Sequence, residues 1–316
     1  MKIVLLESLG IPEKTLAAYA EKLEKQGHTF QAFARDTDPQ VQIHRAHDAD
    51  VIMLANMPLS GEVIRSCPEL KFIDVAFTGV DHIDLKAAEE KGVAVSNASG
   101  YSNESVAELV LGAAITLFRR VRETESRCRQ EGTKDGLVGR ELRGHTVGIV
   151  GYGAIGSRTA ELFHAFGCRI LACSAHERKD VPDYVTYRPL EELIRESDLI
   201  SLHCPLTQET RGLMNAERIA MMKPGAVLIN MARGPVVDSG ALADALNEGR
   251  IAGAAVDVFE TEPPVPAQHP LLQAKNCLPT PHIAFASEES MELRARIVFD
   301  SLRSWLDGKQ INTILP

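Results

Sequence analysis

The stretch Thr146-Val147-Gly148-Ile149-Val150-Gly151-Tyr152-Gly153-Ala154-Ile155-Gly156 decides the fold. An apolar run of strand length ends directly in three glycines spaced G-x-G-x-x-G, the loop that seats a dinucleotide pyrophosphate on a helix N-terminus. Gly151 permits the tight turn, Gly153 lets the backbone approach the phosphates, and Gly156 allows close packing of helix on strand. The helix dipole favours the anion, with Ala154 and Ile155 in the first turn. The context fits: residues 155–166 read as a helix with Ile155, Leu162, Phe163 and Phe166 on one side, and residues 169–173 as the next strand.

Outward from this loop, strand-like and helix-like segments alternate. Upstream, residues 2–7, 51–54 and 72–77 read as strands and 12–26, 61–66 and 85–91 as helices. A long helix over 103–122 then crosses between two lobes. Downstream, strands over 198–202, 226–230 and 251–257 alternate with helices over 190–196, 216–221 and 240–247. A last amphipathic helix over 287–307, apolar through Leu293, Ile297, Val298, Leu302 and Trp305, returns to the first lobe. The expected class is α/β: two doubly wound domains, Rossmann-like or flavodoxin-like, with a cleft between them. The substrate domain takes residues 1–99 and 285–316, the dinucleotide-binding domain 100–284, with hinges near Gly100 and Ala284.

Composition narrows the function. At 316 residues the chain is long enough for two cores. No apolar run approaches the roughly 18 residues of a membrane span. Glu7 interrupts the first apolar segment, so no secretory leader is read and a cytoplasmic protein is expected. Six scattered cysteines without C-x-x-C pairs suggest neither zinc nor a disulfide framework. A net charge of -9 with no basic stripe argues against nucleic acid.

Across nearly its whole length the chain resembles the D-isomer-specific 2-hydroxyacid dehydrogenases, which include glycerate, phosphoglycerate and D-lactate dehydrogenases. The matching blocks are Thr78-Gly79-Val80-Asp81-His82-Ile83-Asp84, Ser105-Val106-Ala107-Glu108, the glycine loop, Asn230-Met231-Ala232-Arg233-Gly234, Asp257-Val258-Phe259-Glu260-Thr261-Glu262-Pro263 and Thr280-Pro281-His282-Ile283, in the family's order. The resemblance implies hydride transfer between a nicotinamide cofactor and a 2-oxo or 2-hydroxy acid, and a homodimer through the cofactor domain and the helix over 103–122. It makes glyoxylate or hydroxypyruvate the expected class of substrate.

That chemistry needs a cation for the substrate carboxylate and carbonyl, and a proton donor to the forming alkoxide. Arg233, just past a strand end, has the planar fork that suits a carboxylate. By resemblance His282 is the general acid for reduction and base for oxidation. Its implied partner is Glu262, which would fix the ring's tautomer and keep a proton available near neutral pH. The resemblance gives the backbone of Thr78, Gly79 and Val80 to the substrate carboxylate and nicotinamide, and Met231 and Ala232 to the cofactor. It sets Asp257 near the nicotinamide, with a turn cap after the strand as the alternative. His203, Cys204 and Pro205 line the adenosine side, Cys204 without a nucleophilic role. Asp81 and Asp84 read as turn anchors, and His269 as a residue without a partner. The substrate's side chain is expected around Asn56, Met57 and Tyr101.

Two departures from the family pattern bear on the cofactor. Ser174 stands where an acid usually meets the ribose, and the chain continues Ala175-His176-Glu177-Arg178-Lys179. NAD remains the first reading, with Glu177 as ribose acceptor. A neutral Ser174 with Arg178 or Lys179 nearby leaves NADP open. Ala284 replaces a frequent glycine and narrows the space beside the nicotinamide. The end at Pro316 carries the expectation of no added regulatory domain. The rival reading is a dinucleotide-sensing corepressor with negligible turnover.

Overall fold

Two parallel sheets organise the computed structural model, which describes residues 1–261 and 264–316. The chain divides into two compact units, Met1–Ser102 with Ala286–Pro316, and Asn103–Phe285. The divisions fall three residues after 99 and one residue after 284, so residues 100–102 go with the first unit and Phe285 with the second.

In the first unit, strands β1 (Lys2–Leu5), β2 (Thr29–Ala32), β3 (Val51–Leu54), β4 (Phe72–Val75) and β5 (Ala94–Asn97) alternate with helices α1 (Glu13–Lys25), α2 (Pro39–Ala46), α3 (Gly61–Ser66) and α4 (Leu85–Lys91). The spatial order is β5-β4-β3-β1-β2, all parallel, with the terminal strand Thr313–Leu315 antiparallel on β5. This is the flavodoxin-like order, reversing between β1 and β3. Local chemistry sets the boundaries. Asp38, Ser60 and Asp84 cap α2, α3 and α4, each side chain accepting from a first-turn amide. Ser287 and Ser290 form a capping box at the terminal helix Glu288–Leu306. That helix lays Ala295, Val298, Phe299 and Leu302 on the sheet, with Trp305 stacked on Phe72 at 4.7 Å.

The second unit holds β6 (Thr146–Val150), β7 (Arg169–Cys173), β8 (Val185–Tyr187), β9 (Leu199–Leu202), β10 (Val227–Asn230), β11 (Gly253–Val256) and β12 (Cys277–Pro279). They lie in the order β12-β11-β10-β9-β6-β7-β8, all parallel. The helices are α5 (Asn103–Phe118), α6 (Val121–Arg129), α7 (Ala154–Ala165), α8 (Leu190–Glu196), α9 (Ala216–Ala220), α10 (Ser239–Asn247) and α11 (Pro270–Gln273). The order reverses between β6 and β9, so the loops after those two strands flank the switch point where such sheets bind ligands.

Two helix readings need correction. The helix expected over 103–122 ends at Phe118, and Arg120 is left-handed at φ 53° before α6 begins. The carbonyl of Phe118 accepts from the Arg140 amide at 2.8 Å, and Gly139 packs against the same turn, so a distant segment takes the carbonyl that a continuing helix would use. Phe166 is not on a buried face; it follows the end of α7, is 47% exposed, and precedes Gly167 at φ 81°.

Candidate active site

Parallel pairing puts the C-terminal ends of all seven strands of the second unit on one edge, and the loops that leave that edge carry most of the expected site residues. At β6 the glycine loop has the geometry that a phosphate needs. Gly151 sits at φ 97°, and a Cβ there would come within 2.5 Å of the Cys204 amide nitrogen. A Cβ on Gly156 would lie 2.1 Å from the Gly151 carbonyl oxygen. A Cβ on Gly153 would meet nothing within 4 Å, and Gly153 caps α7 without a side chain. Exposed Ala154 and half-buried Ile155 follow at the positive end of this twelve-residue helix. The residues present fit a dinucleotide pyrophosphate.

After β9, the His203 amide donates to the Val150 carbonyl at 2.7 Å and its Nε2 lies 2.8 Å from Ser201 Oγ. Burial pushes the His203 imidazole down to about 4, so it is neutral at physiological pH. Burial pushes the adjoining Cys204 thiol up to about 11, which leaves no thiolate for nucleophilic chemistry. Pro205 follows, exposed.

After β10, buried Asn230 fixes the turn that presents Arg233. Its Oδ1 accepts from the Ala232 amide at 3.1 Å and its Nδ2 donates to the Arg233 carbonyl at 3.0 Å. Met231 and half-buried Arg233 flank Ala232 in that turn. Gly234 then lies on the backbone of Phe259, where a Cβ would fall 1.9 Å from the carbonyl carbon. No other residue lets the turn after β10 touch the loop after β11 so closely.

After β11, Asp257 has no exposed surface and is spent entirely on the next loop. Its Oδ1 accepts from Thr280 Oγ1 at 2.6 Å and the Ile283 amide at 2.8 Å, its Oδ2 from the Ala284 amide at 2.8 Å. Its carbonyl takes the His282 amide at 2.8 Å. Burial pushes the Asp257 carboxyl up, and these donors together with His282 offset only part of that. The result is a clasp around His282, whose backbone sits at φ 57° and whose ring meets Phe285 edge-on at 5.5 Å. Ala284 is buried beside it. Glu262, the expected partner of His282, lies outside the described residues.

In the first unit, Thr78, Gly79 and Val80 form a half-buried turn after β4. Asn97 Nδ2 donates to the Thr78 carbonyl at 2.7 Å. The amides of Gly79 and Val80 make no hydrogen bond among the described residues.

Residues 111–284 match the profile of the D-isomer specific 2-hydroxyacid dehydrogenase, NAD binding domain. The chain belongs to the D-isomer specific 2-hydroxyacid dehydrogenase family. It is 36% identical to a hydroxypyruvate reductase of Blautia hydrogenotrophica over 88% of both chains. A glyoxylate reductase of Thermofilum pendens is 37% identical over 95% of this chain and 90% of its own. Among solved structures, a D-lactate dehydrogenase from Aquifex aeolicus complexed with NAD and lactic acid superposes with a TM-score of 0.90 at 32% identity, covering 100% of this chain and 99% of the other. As a member of this family the protein is a nicotinamide-dependent oxidoreductase.

Within the family fold, two features escaped the sequence. His269 has a partner after all: its Nε2 lies 2.9 Å from Glu260 Oε2, and its Nδ1 accepts from the Leu271 amide at 3.3 Å, pinning the loop that continues from Asp257. The Glu-x-x-x-x-x-x-x-x-His spacing carries no signal by which to find it. The second is a groove of about 1010 Å³ lined by Phe118, Arg122, Arg140, Gly225, Ile251 and Cys277. It opens at the N-terminal ends of β10, β11 and β12, the edge opposite the site, where a parallel sheet offers no converging loops for chemistry. No helix among the described residues is long and apolar enough to cross a membrane.

Proposed function

We propose that the protein reduces a small 2-oxo acid, glyoxylate or hydroxypyruvate, to the D-2-hydroxy acid, and catalyses the reverse. The observation that carries this is the set of loops after β10, β11 and β12: buried Asn230 and Asp257 are spent on presenting Arg233 and His282 at the same sheet edge as the glycine loop. The relatives' names point to the same small acids.

A nicotinamide bound there supplies the hydride to the carbonyl carbon. Arg233 pairs with the substrate carboxylate and polarises the carbonyl oxygen, where negative charge grows. His282 gives that oxygen its proton as the alkoxide forms, and in oxidation takes it back. Glu262 is assigned as its carboxylate partner. Thr78, Gly79 and Val80 are assigned to the substrate carboxylate, and Asn56, Met57 and Tyr101 to the substrate's side chain.

We further infer a homodimer in the cytoplasm. The groove at the N-terminal sheet edge and the exposed Val121 and Val138 beside α6 support an interface there. Free cysteines at all six positions suit a reducing compartment. The test is oxidation of NADH and NADPH followed by absorbance against glyoxylate, hydroxypyruvate, pyruvate, 2-oxoisocaproate and phenylpyruvate. Turnover is expected to be fastest with the first two, and His282→Ala to lose about 100-fold or more with cofactor binding kept. Full activity in that variant would remove the assigned acid.

A further inference from the structure

The first sheet has a switch point of its own, between β1 and β3, and doubly wound sheets take ligands beyond the strand ends at such a point. The loops that flank it carry a charged cluster. Glu7, two residues past β1, is 4% exposed. Its Oε1 accepts from the amides of Ala55 at 2.8 Å and Met57 at 2.7 Å, both in the loop after β3. Its Oε2 accepts from Arg35 Nη1 at 2.8 Å, and the same nitrogen donates to Asn56 Oδ1 at 2.8 Å. A carboxylate withdrawn from water persists only where donors surround it, and here they come from the loops after β2 and β3.

These contacts set the amide of half-buried Asn56. A guanidinium carries donors alone, so the amide oxygen must face it and Nδ2 turns away. Nδ2 makes no hydrogen bond among the described residues. The same loop runs on to Leu59, whose amide donates to the His82 carbonyl at 3.0 Å and whose carbonyl accepts from the Asp84 amide at 3.1 Å. It is thereby laced to the turn that follows Thr78, Gly79 and Val80, the residues assigned to the substrate carboxylate. On the other flank, Arg294 of the terminal helix is 3% exposed, donates through Nη2 to the Leu9 carbonyl at 2.6 Å and lies 5.7 Å from the Tyr101 ring centre. The charge of Arg35 is matched by Glu7, which leaves Asn56 Nδ2 as the neutral donor of the cluster, suited to a hydroxyl oxygen.

We propose that Asn56 reads a hydroxyl on the third carbon of the substrate, with Glu7 and Arg35 as the positioning residues that set its amide, so that hydroxypyruvate is preferred to pyruvate and glyoxylate. This rests on the reaction proposed above and narrows it to one acid. A site built to meet a hydroxyl rejects the analogue without one far more strongly than an apolar pocket rejects a missing methylene, because its donor is left unpaired.

The test compares D-glycerate with D-lactate, which differ only in that hydroxyl, by calorimetry on the protein loaded with NADH. Both partners are then already reduced and no hydride passes. D-Glycerate is expected to bind about tenfold or more tighter. Asn56→Ala should bring the ratio to about one, and Glu7→Gln, which sets an amide nitrogen against three donors, should cut it about fivefold. The ratio of kcat/KM for hydroxypyruvate over pyruvate should fall in parallel, chiefly through KM. A general loss of stability weakens both acids alike and leaves the ratio in place, and Asn56→Ala decides the matter where Glu7→Gln fails to fold. Equal binding of the two acids by the parent, or a ratio that Asn56→Ala leaves in place, overturns the proposal. If that occurs while a 2-oxo acid is still reduced, the inference falls and the proposed function stands. A ratio that collapses in Asn56→Ala without turnover of any 2-oxo acid supports the inference and removes the reaction, whereas neither binding nor turnover removes both.

Discussion

Each unit buries one aspartate completely, and the two are used in opposite ways. Asp257, just past β11, collects hydrogen bonds from Thr280, Ile283 and Ala284 and so clasps the loop of His282. Asp74, within β4, has neither oxygen hydrogen-bonded among the described residues, and the Ser301 hydroxyl of the terminal helix is also without a partner. Burial pushes the Asp74 carboxyl well above its ordinary value, and Ser301 lies close enough to ease that shift without completing a hydrogen bond. One buried carboxyl organises a loop at the edge of its sheet. The other is a standing cost in the middle of its sheet, tolerated because the apolar layer of Phe72, Val298 and Leu302 around it is large.

Asp257→Ala should produce the largest effect. It strands the buried Ala284 amide, the part-buried Ile283 amide and the Thr280 hydroxyl, at about 1–3 kcal/mol for each group left without a partner, so a loss of about 4 kcal/mol in urea unfolding is expected. Turnover should fall by about 100-fold as the His282 loop loosens. An unchanged stability would break the contrast, because Asp257 would then be as idle as Asp74.

A smaller effect extends the contrast from acids to a base. His203 is held neutral with a pKa near 4, whereas the unfolded chain protonates this residue below about 6.5. The unfolded state therefore binds more protons between those values, and stability should be full above pH 6.5 and decline towards pH 4, by up to about 3 kcal/mol. Urea midpoints across that range in the parent and in His203→Asn should differ in slope; parallel curves would show that His203 is not desolvated.

The smallest effect is a gain. Asp74→Val removes a buried polar group and should add about 1–2 kcal/mol near pH 8. Because folding raises this carboxyl's pKa, its cost grows as the pH climbs above the unfolded value, so the gain should shrink towards pH 4. A destabilised Val variant would reveal that Asp74 has a native partner.

How much of this could be read beforehand follows from where each signal resides. The glycine loop and the strands that flank it are local patterns: Gly151 takes the left-handed turn and Gly156 the close helix-to-strand approach that their spacing suggests, while Gly153 leaves open space. The blocks around Arg233 and His282 were also legible, as a resemblance. The edge strand β2 was not, since its residues are mostly exposed and lack alternation. The break after Phe118 was hidden because it depends on Gly139 and Arg140, some twenty residues on. Asp257 could be seen only as a strand-end acid. Its grip on residues 280–284 exists once β12 is laid beside β11.

The strand order also sets the loop that carries His282 far from the loop after β7. His282 leaves β12 and Ser174 leaves β7, five neighbours away, or about 24 Å at the usual spacing. Residues so far apart without shared partners contribute additively to free energy. The edge thus keeps its two corners independent: a substitution in the loop after β7 leaves the clasp around His282 as it is.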